Sequence, residues 1–221
     1  MSHQHAGLGS EQTEGHRKSA EPERIPSGKA EGLSTRPVPI GRKREFKPDV
    51  PVVLDGEVVE DLERMKAEAT GPLSMTRLAY GSSLALGAFT DREAMLAEVG
   101  RMYPDAEHRS LVALEAVCTQ PPDSLPTRVC FFEDADEQGD IKCLEAGFGY
   151  KNLSNVHRGF LLTQNWNDVI SSLSQCRFDV SLFDAFDWTG NEFFAPKGCN
   201  TPNLARFGWG DRAASIVNWG S

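Results

Sequence analysis

Between Pro51 and Cys118 the apolar residues change their spacing several times, and each spacing predicts a different element. Val52, Val53 and Leu54 are consecutive and lead into Asp55-Gly56, which predicts a short strand and a turn. Val58, Leu62, Met65 and Ala69 then recur at three and four residues. That period predicts one apolar helix face over about residues 57–69, stopped by Gly71-Pro72. Met75 to Tyr80 and Ser83 to Phe89 are strand-like runs around Gly81-Ser82, which predicts a β-hairpin. Thr90-Asp91-Arg92-Glu93 has the form of a capping box, and the helix it opens turns Met95, Val99 and Met102 inward. A third helical stretch over about residues 107–117 runs up to the breaker Pro121-Pro122. The expected order is β-α-β-β-α-α. A unit of about 70 residues is near the lower limit for folding alone, so residues 50–120 are expected to pack on their neighbour.

From residue 128 the pattern repeats itself. Phe132 to Gly139 and Phe183 to Gly190 align at an offset of 51, as do Leu153 and Leu204. Trp166 and Trp209, and Asp168 and Asp211, align at an offset of 43. The first copy thus carries eight extra residues around residues 154–165, and an insertion confined to one place is how a loop behaves on a repeated unit. Aromatic-x4-aromatic-x-Gly brings a strand end, a folded-back hairpin and a glycine together, and glycine permits the positive φ needed there. Each copy closes with a polar turn carrying Trp, Asp and Ser, followed by a short apolar run that reads as a buried strand. One unit of about four short strands cannot bury its apolar face alone, so two units are expected to pack as a Greek-key sandwich.

These motifs resemble the βγ-crystallin domains, whose units carry a Tyr/Phe-x4-Tyr/Phe/Trp-x-Gly hairpin and an Asn/Asp-Asn/Asp-x-x-Ser/Thr-Ser turn. The hairpin from Phe183 to Gly190 matches fully, whereas the first has Glu137 where an aromatic is usual. With the turns the order reverses. Asn167-Asp168-Val169-Ile170-Ser171-Ser172 is complete, and Gly210-Asp211-Arg212-Ala213-Ala214-Ser215 lacks the first Asn/Asp and the fifth Ser/Thr. The expected fold class is therefore α+β overall: an all-β double Greek-key domain over residues 126–221, a small α+β unit before it, and a disordered tail over residues 1–49.

The tail reading comes from composition, since residues 1–49 hold few bulky apolar residues and no periodicity. Its basic stretch around Arg36 to Arg44 suits either a solvated linker or a docking segment for an acidic partner, the unknown protein partner expected of such a module. The whole chain of 221 residues has a formal charge of −9, which argues against general nucleic-acid binding and favours cations. No apolar run approaches the roughly 20 residues of a membrane span, and the first residues have no signal-peptide pattern, so a cytoplasmic location is expected. The five cysteines, at 118, 130, 143, 176 and 199, form no C-x2-C pair, and reduced, buried thiols are the expectation. Extracellular relatives of the fold form disulfides, which leaves a bridge from Cys143 to Cys199 or from Cys130 to Cys176 open.

Catalytic signatures are missing. Neither His108 nor His157 lies in a nucleophile motif, His157 is expected at the surface, and no Gly-rich phosphate loop is present. A non-enzymatic module is expected. The resemblance implies a calcium ion instead, a hard cation that takes six to eight oxygens from carboxylates, carbonyls and hydroxyls. Carried over from the family, Asp211 and the Gly210 carbonyl pair with Ser171 in one complete site. Asn167 and Asp168 form a weaker one, because Ala214 stands where a hydroxyl is needed. The same residues also suit a purely structural role, since Asp and Ser commonly satisfy backbone groups in turns. An alternative function is protease inhibition, because a bacterial family of metalloproteinase inhibitors shares this Greek-key fold.

Overall fold

The structure, a computed structural model, describes residues 19–25, 45–80, 83–102, 126–159 and 163–220. The predicted helix over about residues 107–117 and the remaining tail residues lie outside them.

In chain order the first half holds β1 (Glu23–Arg24), β2 (Val52–Leu54), β3 (Glu57–Val59), α1 (Leu62–Glu68), β4 (Ser74–Tyr80), β5 (Ser83–Phe89) and α2 (Arg92–Met102). The β4–β5 hairpin and α2 form as expected, and α2 buries Met95 fully while Val99 and Met102 pack partly on the same cluster. Two local details differ. Residues 57–59 are a strand and not the first turn of a helix: Asp55 (φ 47°) and Gly56 (φ 94°) make a tight turn that folds β3 back on β2, leaving Val58 exposed. The helix starts only where Asp61 Oδ1 can accept from Glu63 N and Arg64 N, at 2.9 and 3.1 Å. At α2 the carboxylate of Asp91 accepts from Glu93 N at 3.0 Å, while Thr90 is drawn to Asp55, its N and Oγ1 at 3.0 and 2.8 Å from that carboxylate.

The second half holds β6 (Arg128–Phe132), β7 (Ile141–Glu145), β8 (Phe148–Tyr150), β9 (His157–Arg158), β10 (Gln164–Asn165), β11 (Ser172–Ser174), β12 (Val180–Phe183), β13 (Glu192–Ala195) and β14 (Ser215–Asn218). Two sheets face each other. One has the order β11-β6-β7, extended by a single antiparallel bridge from Leu173 to Thr201. The other contains β8-β14-β12-β13. The third strand of each repeat therefore crosses over: β8 of the first copy lies in the sheet of the second, and Thr201 of the second lies in the sheet of the first. That exchange is the expected pair of Greek keys. The extra residues of the first copy form the small β9–β10 ribbon.

Residues 50–120 were expected to pack on the sandwich; the described part continues one of its sheets. β4 pairs in parallel with β13, so the order runs β1-β8-β14-β12-β13-β4-β5-β2-β3 across nine strands. Register is set by side chains from the second hairpin. Asn191 Oδ1 accepts from Leu73 N at 2.9 Å, and Glu192 N donates to Leu73 O at 2.9 Å. The Glu192 carboxylate, almost fully buried, accepts from Ser74 Oγ, Ser181 Oγ and both Nε and Nη2 of Arg92 on α2. Trp209 and Phe193 fill the interior at a centroid distance of 5.8 Å, and Trp166 meets Phe131 edge to face at 4.8 Å. Trp188 and Trp209 are core residues as expected.

The tail is not uniformly free of structure. β1 adds to the edge of β8, and Phe46 enters the main core. Among the described residues, no helix is long and apolar enough to cross a membrane.

The expectation of reduced thiols is overturned. Cys130 and Cys143 are bridged, because β6 and β7 pair in a register that sets them directly opposite. Cys199 is also disulfide-bonded, and neither of the pairings left open above forms. Cys176 is a free, buried thiol that burial pushes up to about 12. An unfolded thiol titrates near about 8.5, so the stability that comes from holding this one neutral is complete below that pH. It is lost as pH rises toward the folded value. Alkylation at pH 8 without reductant is accordingly expected to spare Cys176 in the native protein and to label it in urea, with Cys130 and Cys143 unlabelled in both; peptide mass mapping checks this.

Candidate functional site

The two hairpins and two turns are related by an approximate twofold that can be followed bond by bond. Ser172 Oγ donates to Asp134 O at 2.7 Å and accepts from Glu137 N at 3.1 Å. Ser215 Oγ donates to Ala185 O at 2.7 Å and accepts from Trp188 N at 3.2 Å. The last serine of each turn thus closes the hairpin of its own copy. Asp136 and Glu137, like Asp187 and Trp188, have φ of 57–61°. Gly190 follows at φ 81°, and a Cβ there would lie 2.4 Å from Asp184 Oδ1. Glycine is required at that corner on both counts.

Where the copies differ, the difference is local. Trp188 lies over the strand at Gly149, where a Cβ would come within 2.8 Å of its ring. The position matching Gly149 in the second copy is Asn200, whose carbonyl accepts from Arg77 Nη1 at 2.7 Å. The residue matching Trp188 there is the exposed Glu137.

Between the copies, the turns face each other. Asp168 N donates to Ala213 O at 2.9 Å, and Asp211 N donates to Ile170 O at 3.2 Å; both aspartates are left-handed, at φ 54° and 56°. Leu153 N to Ala214 O and Leu204 N to Ser171 O repeat the relation, each at 2.9 Å. Ser171 and Asp211, paired above only through the resemblance, lie together, with Ser171 Oγ donating to Asp211 Oδ1 at 2.8 Å across 40 residues of chain. Both are half-buried, and Gly210 is buried beside them. A Cβ on Gly210, where the motif has its first Asn/Asp, would sit 3.0 Å from the Ala205 methyl, so a side chain there would press on Ala205.

On the other side, Asn167 Nδ2 donates to Asp168 Oδ2 at 2.8 Å, Asn167 Oδ1 is buried without a hydrogen-bond partner, and the matching Ala214 is a buried methyl. The donor set is carboxylate, amide oxygen, hydroxyl and carbonyl, all hard oxygens of the kind calcium takes. Among the described residues no three His, Cys, Asp or Glu side chains gather as a metal cluster, so a cation here would depend on neutral ligands.

A cavity of about 250 Å³ opens between α1 and the second turn, walled by Met65, Leu73, Met75, Trp209, Lys66 and Arg212 among others, and its lining includes no His, Cys, Asp or Glu. His157, expected at the surface, is half-buried in β9, and its N donates to Ser19 Oγ at 2.9 Å. His108 lies outside the described residues. What the sequence missed is the docked residues 19–25; the one signal was Ile25, isolated among polar residues.

No protein-family model matches the chain, and no curated protein matches it. Among solved structures it is similar to a βγ-crystallin from Ciona intestinalis, with 22% identity over 41% of this chain and 98% of that one and a TM-score of 0.32. It is also similar to a βγ-crystallin domain from Clostridium beijerinckii, with 22% identity over 42% of this chain and 99% of that one and a TM-score of 0.35. A third is the N-terminal domain of protein S, with 20% identity over 41% and 92% and a TM-score of 0.32. The exchanged third strands, the two left-handed hairpins and the serines that close them define a βγ-crystallin-like domain over residues 126–220.

Because Ser215 and its partners are buried while Asp134 and Glu137 are exposed, the two closing serines are expected to differ in weight. Ser215→Ala strands two groups away from water and is expected to cost about 2 kcal/mol. In Ser172→Ala water replaces the hydroxyl, and the cost is expected to be about 1 kcal/mol. Urea denaturation of the two variants measures both.

Proposed function

We propose that this chain is a non-enzymatic binding module whose sandwich takes one calcium ion weakly, through Asp211, the Gly210 carbonyl and Ser171. The observation that carries the reading is the 2.8 Å contact of Ser171 Oγ with Asp211 Oδ1, which joins a hydroxyl of one repeat to a carboxylate of the other. Calcium would sit between the two oxygens, with the hydroxyl keeping its proton and turning it away, and carbonyls and water completing six to eight ligands. The opposite turn, Asn167 and Asp168, has an amide oxygen and a carboxylate but meets only the methyl of Ala214, so it is the weaker of the two. With few charged ligands, affinity falls in the range of about 10⁻⁵ to 10⁻³ M.

The test is calorimetric titration of the metal-free full chain with calcium, alongside thermal melting. One site is expected, with stabilisation of about 2.7 kcal/mol at one hundred times Kd. Asp211→Ala or Ser171→Ala removes most of the shift, and Asp168→Ala matters less. Two sites of equal affinity would overturn the asymmetry. Absence of both heat and melting shift at millimolar calcium would overturn calcium binding, and the turns would then serve structure alone.

A second reading, protease inhibition, is favoured by one observation: Cys130, Cys143 and Cys199 are oxidised, which suits an extracellular or periplasmic protein better than the cytoplasm. Stoichiometric loss of a secreted zinc metalloproteinase's activity on adding the chain would establish it, and full activity with excess chain would dismiss it.

A further inference from the structure

We propose that the edge of β8 is a peptide-binding groove, filled in this structure by residues 19–25, which accepts the same segment from a second copy of the chain by strand exchange. The inference does not depend on calcium.

The segment lies in the groove as a bound peptide does. Glu23 pairs with Gly149 and Arg24 with Phe148 in antiparallel register, and Ile25 N donates to Gly147 O at 2.9 Å. At the other end Ala20 N donates to Asn155 O at 2.8 Å, and Ser19 Oγ accepts from His157 N at 2.9 Å. Main-chain bonds of this kind give affinity, and side chains at alternate positions give selectivity. Two side chains provide it here. Glu23 Oε2 is 2.7 Å from Lys151 Nζ, and Ile25 packs on the buried cluster of Phe183, Trp188 and Val217. Pro22, between the two ends, has no N–H to leave unpaired. The groove therefore selects an extended strand with an acid and, two residues on, a branched apolar residue.

Every one of these contacts runs to residues 147–157 or to the Phe183, Trp188 and Val217 cluster, so the groove is complete within the βγ-crystallin-like domain. The only covalent tie between the segment and the next described residue, Glu45, is residues 26–44. A tie of that length can span on the order of 60 Å when extended, so connectivity does not dictate whose groove the segment fills. Its hold is also slight. The strand is two residues long, and the ion pair is 54% and 40% exposed at Glu23 and Lys151, at the low end of local stability where exchange with a competing strand is easiest. Reciprocal exchange between two copies buries the same contacts twice and closes on itself as a twofold dimer. The copy's own segment competes at an effective concentration of about millimolar, so the dimer belongs to high protein concentration.

Sedimentation equilibrium of the full chain from about 10 μM to about 1 mM tests this. The expected result is a monomer at the low end, a growing dimer at the high end, loss of the dimer in Ile25→Asp with near-UV circular dichroism unchanged, and its dissociation by a synthetic peptide of residues 19–25. A monomer throughout, or a dimer that persists in Ile25→Asp, overturns the proposal. A second measurement is independent of the dimer. The same peptide, fluorescently labelled, is expected to bind the Ile25→Asp chain at least about tenfold more tightly than the native chain, whose groove is occupied. No binding to the folded Ile25→Asp chain overturns the groove itself.

Discussion

The carboxylate of Glu192 is the point on which the two halves of this protein depend. It lies at the start of β13, nearly out of reach of water, and takes hydrogen bonds from three neighbouring elements: Ser74 of β4, Ser181 of β12 and the forked guanidinium of Arg92 on α2. A buried charge of this kind is tolerable only when its lone pairs are filled, so each donor is needed where it stands. The directional bonds fix position in a way that apolar contact does not. They align β4 beside β13 and hold α2 against the same face, while Asn191, one residue earlier, fixes Leu73 and with it the register. The small unit is thereby an extension of the βγ-crystallin-like sheet, with a common core in which Met75 of β4 receives the indole N–H of Trp209.

Much of the second half was legible because its signals are local and doubled. The left-handed corners at Asp187 and Trp188, the glycine after them and the serine that closes the hairpin occur in sequence order and occur twice, so the repeat led to the sandwich, while the pairing of Ser171 with Asp211 came from the resemblance to βγ-crystallin domains. The first half had single signals that competed. Val58 fits a helical period with Leu62 and Met65, yet Asp55-Gly56 is the stronger local instruction, since a turn with positive φ at both residues returns the chain as a hairpin. The bridge was readable in principle. Antiparallel strands count in opposite directions, so once Phe132 stands opposite Ile141, Cys130 must stand opposite Cys143. What no local pattern could reveal is the parallel pairing of β4 with β13, because the interaction lies in donors that composition cannot distinguish from ordinary surface serines and arginines.

The chain's few apolar residues outside its predicted elements proved informative. Ile25 and Phe46 stand in a segment whose composition reads as solvated, yet each one is taken up by an apolar cluster of the folded part. Mean composition weighs a segment as a whole, while docking needs only one or two side chains and a few backbone bonds. The acidic hairpin around Asp136 shows the converse: its carboxylates are exposed, and its geometry is held by Ser172 from beneath.

The parallel pairing of β4 with β13 also has a consequence for the birth of the protein. The two strands are separated by 118 residues, as in the bond from Thr76 to the Phe194 carbonyl. At ribosomal speeds of about 5–20 residues per second, β4 leaves the ribosome roughly ten seconds before the strand that will cover its edge. The β4–β5 hairpin can form in microseconds, so during most of that interval it waits with one row of N–H and C=O groups unpaired and Met75 without its indole partner. The sheet is completed only after β13 has emerged, and a nascent chain of this kind spends its most adhesive moments beside its neighbours on the same message.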